Sequence, residues 1–441
     1  MNQEFIKQRV AVLGYGAEGQ ALCHYLLDQG QEELVICDQA TKLDLGLNQP
    51  TVHWQLGPDY LAGLARFELI LRSPGIPPFL PEIKAAVAKG SKLSSLTKLF
   101  FAHCPAPIIA VTGSNGKTTT SALIAHLLRE NLAELPFRQV WEGGNDQEPL
   151  LAQLDQINAE DVVVLELSSF QLYDLEVSPH LAVITNFSPN HLNWHPDMQD
   201  YAQAKSNIFR HQQAGDYCLF NAKDKGGKYF VDEDTKGTRL FYQDPKIALN
   251  ALPYLTHPAN LAAVELVAQL VGLSEAQTKQ GLLSFVPPVQ RLELVATVAG
   301  VTYYNDSAST TPESTASSLT LCKQIAKDVI LIAGGKNKGM SYDALVEAIK
   351  EQQPKQLLLI GEVAPSLAQA VAIAAIEQDS KICSSLEETM QLVAKLAKSG
   401  DLVLFSPGFA SFDMFKNSKE RGKIFSQLVQ DLKLAPTCKN C

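Results

Sequence analysis

The sequence has no apolar run approaching the roughly 20 residues a membrane-crossing helix needs, so insertion into a bilayer is not expected. It has no excess of positive charge either. There are 37 Lys and Arg against 47 Asp and Glu, a formal net charge of −10. A general nucleic-acid binder needs clustered cations to replace phosphate counterions, so that class is set aside. A small phosphorylated ligand needs only a local positive pocket and stays open. The opening residues MNQEFIKQRV lead into an apolar strand without the pattern of a signal peptide, which points to the cytoplasm. The eight cysteines are scattered, mostly within apolar strand or helix patterns, as buried reduced thiols are. Cys438 and Cys441 form the one close pair; no second metal-ligand pair accompanies them, so zinc is not expected. No internal repeat or low-complexity block is present.

A chain of 441 residues exceeds one hydrophobic core, so two or three domains are expected. Short β-branched runs alternate with stretches of helical period, the pattern of α/β architecture with parallel sheets. The first segment opens with RVAVLGYGAEGQALCHYLLDQG, where an apolar strand enters Gly14-x-Gly16-x-x-Gly19 and a helix follows. The next strand ends at Asp38, at the distance expected of a dinucleotide fingerprint. The glycines let backbone N–H groups approach a diphosphate, and Asp38 could accept a hydrogen bond from a ribose hydroxyl. Alone, the turn reads as a nicotinamide-dinucleotide site, as a site for another diphosphate-bearing nucleotide, or as a structural turn. A further strand, FELILRSPGIPP, ends in Ser73-Pro74-Gly75.

The second segment contains APIIAVTGSNGKTTTSALIAHLLRE. A buried strand runs into a phosphate loop two residues shorter than the usual G-x-x-x-x-G-K-[ST], and a helix follows at once. Backbone N–H groups in such a loop form an anion nest, Lys117 adds a mobile charge, and the Thr118 hydroxyl suits Mg²⁺. Two further strands, DVVVLELSSFQL and HLAVITNFSPNHLNWH, end in polar residues. Ligands collect at such carboxyl ends, so Lys117, Glu166 and His191 are expected to converge. Glu166 ends an apolar strand, where a lone carboxylate is costly unless paired or metal-bound. His191 by itself reads more readily as a hydrogen-bonded loop histidine than as a ligand. Lys205, four residues after Tyr201, reads by pattern as a solvated or snorkelling lysine. The third segment, beyond the linker at Pro287 and Pro288, again runs strands into polar or glycine-rich ends: YYNDSASTTPES, LIAGGKNKGMSY and LFSPGFASFDMFKNSKERG.

Taken together, GYGAEG, SPGIP, TGSNGKTTT, GGN at 143–145, LELSSFQL, NHLNWH, YAQAKSNIF, NDSASTTPES and SPGFASFDMFKNSKERG resemble the Mur ligases over essentially the whole chain. The resemblance implies three α/β domains: a Rossmann-like UDP-binding domain at 1–95, a P-loop ATPase-like parallel sheet at 96–287, and a Rossmann-like amino-acid-binding domain at 288–441. It implies an ATP-dependent, ADP-forming ligase acting through an acyl phosphate. The motifs favour the family member that joins D-glutamate to UDP-N-acetylmuramoyl-L-alanine in peptidoglycan precursor synthesis, as a monomer. The alternatives are another Mur ligase or a folylpolyglutamate-type ligase. From other classes come a nicotinamide-dependent dehydrogenase, which explains neither Glu166 and His191 nor the third segment, and a non-enzymatic nucleotide switch, which phosphate release requiring both an amino acid and a UDP-sugar would exclude.

By the resemblance, Gly113, Ser114, Asn115, Gly116, Lys117, Thr118 and Thr119 cradle the phosphates of ATP, with Asn145, Asn260, Arg291 and Asp306 as further ATP contacts. Two Mg²⁺ ions are implied. Thr118 and Glu166 would hold one and His191 the other, and Lys205 matches a lysine that CO₂ carboxylates into an oxygen ligand. Lys117, Glu166, His191 and Lys205 are thus the implied catalytic set. The UDP-substrate would meet Gly14, Tyr15, Gly16, Asp38, Ser73, Gly75, Asn145, Ser168 and His191, which overturns the nicotinamide reading of the first turn. D-Glutamate would meet Thr310, Lys338, Ser411 and Phe412. Ala308 stands where some members carry a lysine, and Ser418 where an aromatic is common.

Overall fold

A computed structural model describes residues 8–43, 50–145, 148–192, 194–231, 233–374 and 380–434. Cys438, Cys441 and Asn193 lie outside the described residues. The chain groups into two compact units, one of residues 1–243 and 263–278, the other of 244–262 and 279–441.

The first unit holds two sheets. One comprises β1 (Val10–Leu13), β2 (Leu34–Asp38), β3 (Val52–Leu56), β4 (Leu69–Arg72) and β5 (Lys92–Ser95), all parallel in the order β3-β2-β1-β4-β5. Because successive side chains point to opposite faces, the apolar run of β1 feeds two cores: Val10 and Val12 join one cluster, Ala11 and Leu13 the other. The second sheet comprises β6 (Ile108–Thr112), β7 (Val140–Gly144), β8 (Val162–Glu166), β9 (Leu181–Ile184), β10 (Tyr217–Asn221) and β11 (Thr238–Tyr242). It too is parallel, in the order β11-β10-β9-β6-β8-β7. The cluster containing Val10 and Val12 also takes in Ile108, Ala110, Val163, Leu165 and Ile184, so the two sheets share one core.

A buried ion pair reinforces that join. Arg72, at the end of β4 and fully buried, donates to Asp174 Oδ1 at 2.5 Å and to the Phe170 carbonyl at 3.0 Å. Lys98 approaches the other Asp174 oxygen at 3.4 Å.

The second unit holds β12 (Glu293–Val298), β13 (Val301–Asn305), β14 (Val329–Gly334), β15 (Gln356–Ile360), β16 (Ser380–Ile382) and β17 (Leu402–Gly408), ordered β12-β13-β17-β14-β15-β16. The sheet is parallel apart from its edge strand, since β12 pairs antiparallel with β13. Only Ala299 and Gly300 separate the strands, with φ of 50° and 78°. Two successive positive φ values are what a type I′ hairpin requires, and its twist matches the strands.

Candidate active site

β6 is central in its sheet, flanked by β8 and β9. The carboxyl ends of these three neighbours therefore emerge together, and the loops beyond them carry Gly113–Gly116, Glu166–Ser168 and Thr185–His191. Sheet order thus brings together segments that are distant in sequence.

The phosphate loop lies between β6 and the helix Lys117–Glu130. Gly113 has φ 149°, and a Cβ there would sit 1.9 Å from Thr185 Oγ1, so only glycine fits. Polar residues beyond β9 brace the loop. Asn186 accepts from the Asn115 N–H through Oδ1 (3.0 Å) and donates to the Asn115 carbonyl (3.0 Å), to which Thr185 Oγ1 also donates at 2.5 Å. Ser114 N–H bonds the Asn186 carbonyl, and Ser114 Oγ meets the Tyr201 hydroxyl at 3.2 Å. Lys117 Nζ donates to the Ser114 carbonyl at 3.3 Å. Thr119 follows in the first turn of the helix.

Glu166 ends β8 fully buried. Thr118 Oγ1 donates to its Oε2 at 2.6 Å and Asn145 Nδ2 to its Oε1 at 3.2 Å. Among the described residues no Lys, Arg or His reaches it within ion-pair distance. A buried carboxylate held only by a hydroxyl and an amide suits a divalent cation that prefers oxygen ligands. Gly144, φ 120°, allows the approach of β7: a Cβ there would lie 2.1 Å from the Glu166 carbonyl.

Lys205 corrects the reading of a solvated lysine. Its side chain is 1% exposed, on the inner face of helix Met198–Arg210. Nζ donates to the Gly113 carbonyl at 2.9 Å and Thr112 Oγ1 at 3.2 Å and lies 4.9 Å from the Tyr201 ring centre. Burial drives its pKa well below the ordinary lysine value, with Lys117 adding repulsion and Glu166 opposing both. The neutral amine is the form that adds to CO₂. His191 is exposed, at φ 57°, with its ring edge-on to Phe170 (4.8 Å) and 6.3 Å from the ring of Tyr201. Glu166, Thr118, Lys117 and Lys205 are brought together directly; His191 joins them through Tyr201, which touches both histidine and lysine.

In the first sheet β1 and β4 are neighbours, so the Gly14–Gly16 turn and Ser73 meet: Ser73 Oγ donates to the Gly14 carbonyl at 2.9 Å. Asp38 anchors this turn, its two oxygens accepting the N–H groups of Tyr15 and Ala40 at 2.8 Å each. Gly75, exposed, accepts from Trp194 Nε1 at 3.2 Å. Ser168 caps the short helix Ser169–Leu172 in a box with Gln171, whose amide continues to Glu18 Oε1 at 2.7 Å.

In the second unit, β17 lies between β13 and β14, so the loops carrying Thr310, Lys338, Ser411 and Phe412 converge. Lys336 and Ala410 exchange backbone hydrogen bonds, Gly408 N–H bonds the Ser309 carbonyl, and Lys338 Nζ sits 5.1 Å from the centre of the exposed Phe412 ring. Ser411 is buried and Thr310 exposed. Asp306 is buried; its Oδ2 accepts from Ser309, Ser318 and Ser406 at 2.7 Å each, and its Oδ1 from Leu292 N–H at 3.1 Å. Burial raises its pKa against these four hydrogen bonds. Arg291 is half-buried between Gln290 and Leu292, both at positive φ, and Asn260 is buried in helix Pro258–Leu270.

Sequence reasoning missed Thr112, Thr185 and Asn186, whose signal was their position at strand carboxyl ends, and the His195–Ser169–Asp200 bonds, which had none.

Three sequence patterns match this chain: the Mur ligase MurD-like N-terminal domain at residues 8–95, the Mur ligase middle domain at 111–243, and the Mur ligase glutamate ligase domain at 290–409. The chain belongs to the Mur ligase family. It is 35% identical to the UDP-N-acetylmuramoylalanine--D-glutamate ligase of Symbiobacterium thermophilum, over 97% of this chain and 99% of the relative. The ligase of the same name from Ruminiclostridium cellulolyticum is 37% identical, over 97% of each. Among solved structures, the MurF ligase of Thermotoga maritima in complex with ADP superposes with a TM-score of 0.61 at 16% identity, covering 98% of this chain and 97% of that one. UDP-N-acetylmuramate-alanine ligase MurC of the same organism gives 0.58 at 16% identity, over 96% and 99%. At these identities the two structures show that this Mur ligase shares the three-sheet fold. No described helix is long and apolar enough to cross a membrane.

Proposed function

We propose that this Mur ligase joins D-glutamate to UDP-N-acetylmuramoyl-L-alanine at the expense of ATP, in the cytoplasm and as a monomer, with domains at 1–95, 96–287 and 288–441. The observation that carries the chemistry is the buried Thr118–Glu166 pair beside the phosphate loop and the buried amine of Lys205. The alanyl carboxylate attacks the γ-phosphorus of ATP, and ADP departs, leaving an acyl phosphate. The amine of D-glutamate then attacks the acyl carbon, loses a proton, and phosphate leaves.

The first step drives two anions together, so positive charge at the phosphate loop is the main requirement. Lys117 and the loop N–H groups supply part of it. Thr118, Glu166, His191 and a carboxylated Lys205 would hold two Mg²⁺ ions, which neutralise phosphate charge when bound. The depressed basicity of Lys205 supports the carboxylation, because an ammonium group has no lone pair for CO₂. Asn145, Asn260, Arg291 and Asp306 are assigned to ATP, the Gly14–Gly16 turn with Asp38, Ser73, Gly75 and Ser168 to the UDP-substrate, and Thr310, Lys338, Ser411 and Phe412 to D-glutamate.

The test is phosphate release from ATP in the presence of UDP-N-acetylmuramoyl-L-alanine, comparing D-glutamate with L-glutamate, meso-diaminopimelate and L-alanine. Release with D-glutamate alone, and a product heavier by one glutamyl residue, is expected. Release with another amino acid instead would reassign the substrate and keep the mechanism.

A further inference from the structure

His195 lies where three segments carrying candidate cation ligands cross. Its ring is 1% exposed. Nδ1 is 2.6 Å from Asp200 Oδ2, and Nε2 is 2.9 Å from Ser169 Oγ. Its backbone N–H donates to the His191 carbonyl at 2.9 Å. Ser169 follows the Glu166-Leu167-Ser168 strand end, and Asp200 lies in the first turn of the helix that carries Tyr201 and Lys205. Asp200 is itself held, its Oδ1 accepting from the Tyr173 hydroxyl at 3.1 Å. The imidazole therefore ties the segment after Glu166 to the helix bearing Lys205, while the backbone of the same residue holds the turn bearing His191.

The order Asp–His–Ser is that of a hydrolytic triad, but the burial excludes that use. Ser169 is 2% exposed and its partner ring 1%, with Phe170 stacked on the imidazole at 5.7 Å, so no acyl group reaches the hydroxyl. The bonds suit a neutral ring instead: Nδ1–H donates to Asp200, and Nε2 accepts from the Ser169 hydroxyl. Burial, which lowers the His195 pKa, agrees with this tautomer.

We propose that His195 is a positioning residue whose ring sets the affinity of the site for its divalent cation by holding the Glu166 and Lys205 segments in one arrangement. This rests on the cation site proposed above. Partners behind metal ligands typically govern affinity by about 10–100-fold when removed.

The experiment measures Mn²⁺ binding to the full chain in the presence of ADP, by the electron paramagnetic resonance signal of free Mn²⁺. Binding of UDP, which is assigned to the Gly14–Gly16 turn and Asp38, is followed by calorimetry as the control. His195→Ala is expected to raise the Mn²⁺ dissociation constant about tenfold or more while leaving that of UDP within about twofold. His195→Asn, which keeps a donor toward Asp200, recovers part of the loss, and Ser169→Ala, which removes only the second bond, shows a smaller one. Should His195→Ala not fold, His195→Asn and Ser169→Ala carry the test, and wild-type Mn²⁺ affinity in both would overturn the proposal. Equal weakening of Mn²⁺ and UDP would also overturn it, because that is what a merely structural histidine would do. Absence of Mn²⁺ binding by the wild type would instead overturn the cation-site reading, and this one with it.

Discussion

Glu18 shows how a single side chain couples local burial to pH. It sits in the first turn of the helix Ala17–Asp28, just beyond the Gly14–Gly16 turn. Its Oε1 accepts from Gln171, whereas its Oε2 is buried with no hydrogen-bond partner among the described residues, beside a small cavity lined by Leu96, Phe100, Leu165 and Leu167. Burial raises its pKa from the ordinary 4.5 to about 7, with the Gln171 bond and the Arg72 charge pulling the other way. Between those two values the folded protein holds a proton that the unfolded chain has released. Stability from this group is therefore complete below pH 4.5 and is lost as the pH rises through about 7. Glu18→Gln removes the dependence and should stabilise the protein by about 1–3 kcal/mol at pH 8 relative to wild type. Urea unfolding at a series of pH values checks this; parallel profiles for the two proteins would show that Glu18 ionises as freely as an exposed carboxylate. At this scale the sequence was only partly informative. Lys117 and Thr118 stand in a motif that states their role. Lys205 carries no local sign of burial, because the carbonyl of Gly113 and the ring of Tyr201 reach it only once β6 and the helix Met198–Arg210 have packed.

Between elements, the fully buried Arg72 ties two parts of the first unit through Asp174. The guanidinium comes from the end of β4 and the carboxylate from just beyond the helix Ser169–Leu172, so the pair fixes the Ser73–Gly75 turn relative to Ser168. Removing Asp174 leaves the buried guanidinium without its carboxylate, and removing Arg72 leaves Asp174 with Lys98 alone as its cation among the described residues. Arg72→Met should cost about 2–4 kcal/mol, and adding Asp174→Leu should recover part of that, the sign expected of a buried pair. Chemical denaturation of the two single variants and the double variant measures the coupling; strict additivity would mean the pair does not act as a unit. The β12–β13 hairpin offers the opposite kind of change. Ala299 occupies a left-handed position that an L-residue with a Cβ adopts at a cost, and Asn-Gly is the preferred pair for this turn. Ala299→Asn should therefore stabilise by about 0.5–1 kcal/mol, read as a higher denaturant midpoint at unchanged slope. Strand–loop–helix alternation made the parallel sheets legible, because each crossover leaves a change of period in the sequence. The hairpin was not legible, since Ala-Gly is a weak turn signal and β12 reads like any other apolar run.

At the scale of the whole molecule, among the described residues the clusters around Val10 and Leu13 lie in the first unit and those around Leu331 and Ile330 in the second. Clusters that lie within one unit or the other predict two calorimetric transitions. The substitutions above assign them, because Arg72→Met weakens only the first unit and Ala299→Asn strengthens only the second. The phosphate loop with Glu166 belongs wholly to the first unit, so a ligand reduced to its phosphates should act on one transition. Magnesium tripolyphosphate at about 100 times its dissociation constant would add about 2.7 kcal/mol to the unit that binds it, a rise of about 5–10 °C. The expected result is that the transition lowered by Arg72→Met moves upward and the one raised by Ala299→Asn stays in place. Movement of the second transition alone would relocate the phosphate site to the other unit. A single transition shifted as a whole would show that the two cores melt as one, so that every stability change argued above is shared across the chain.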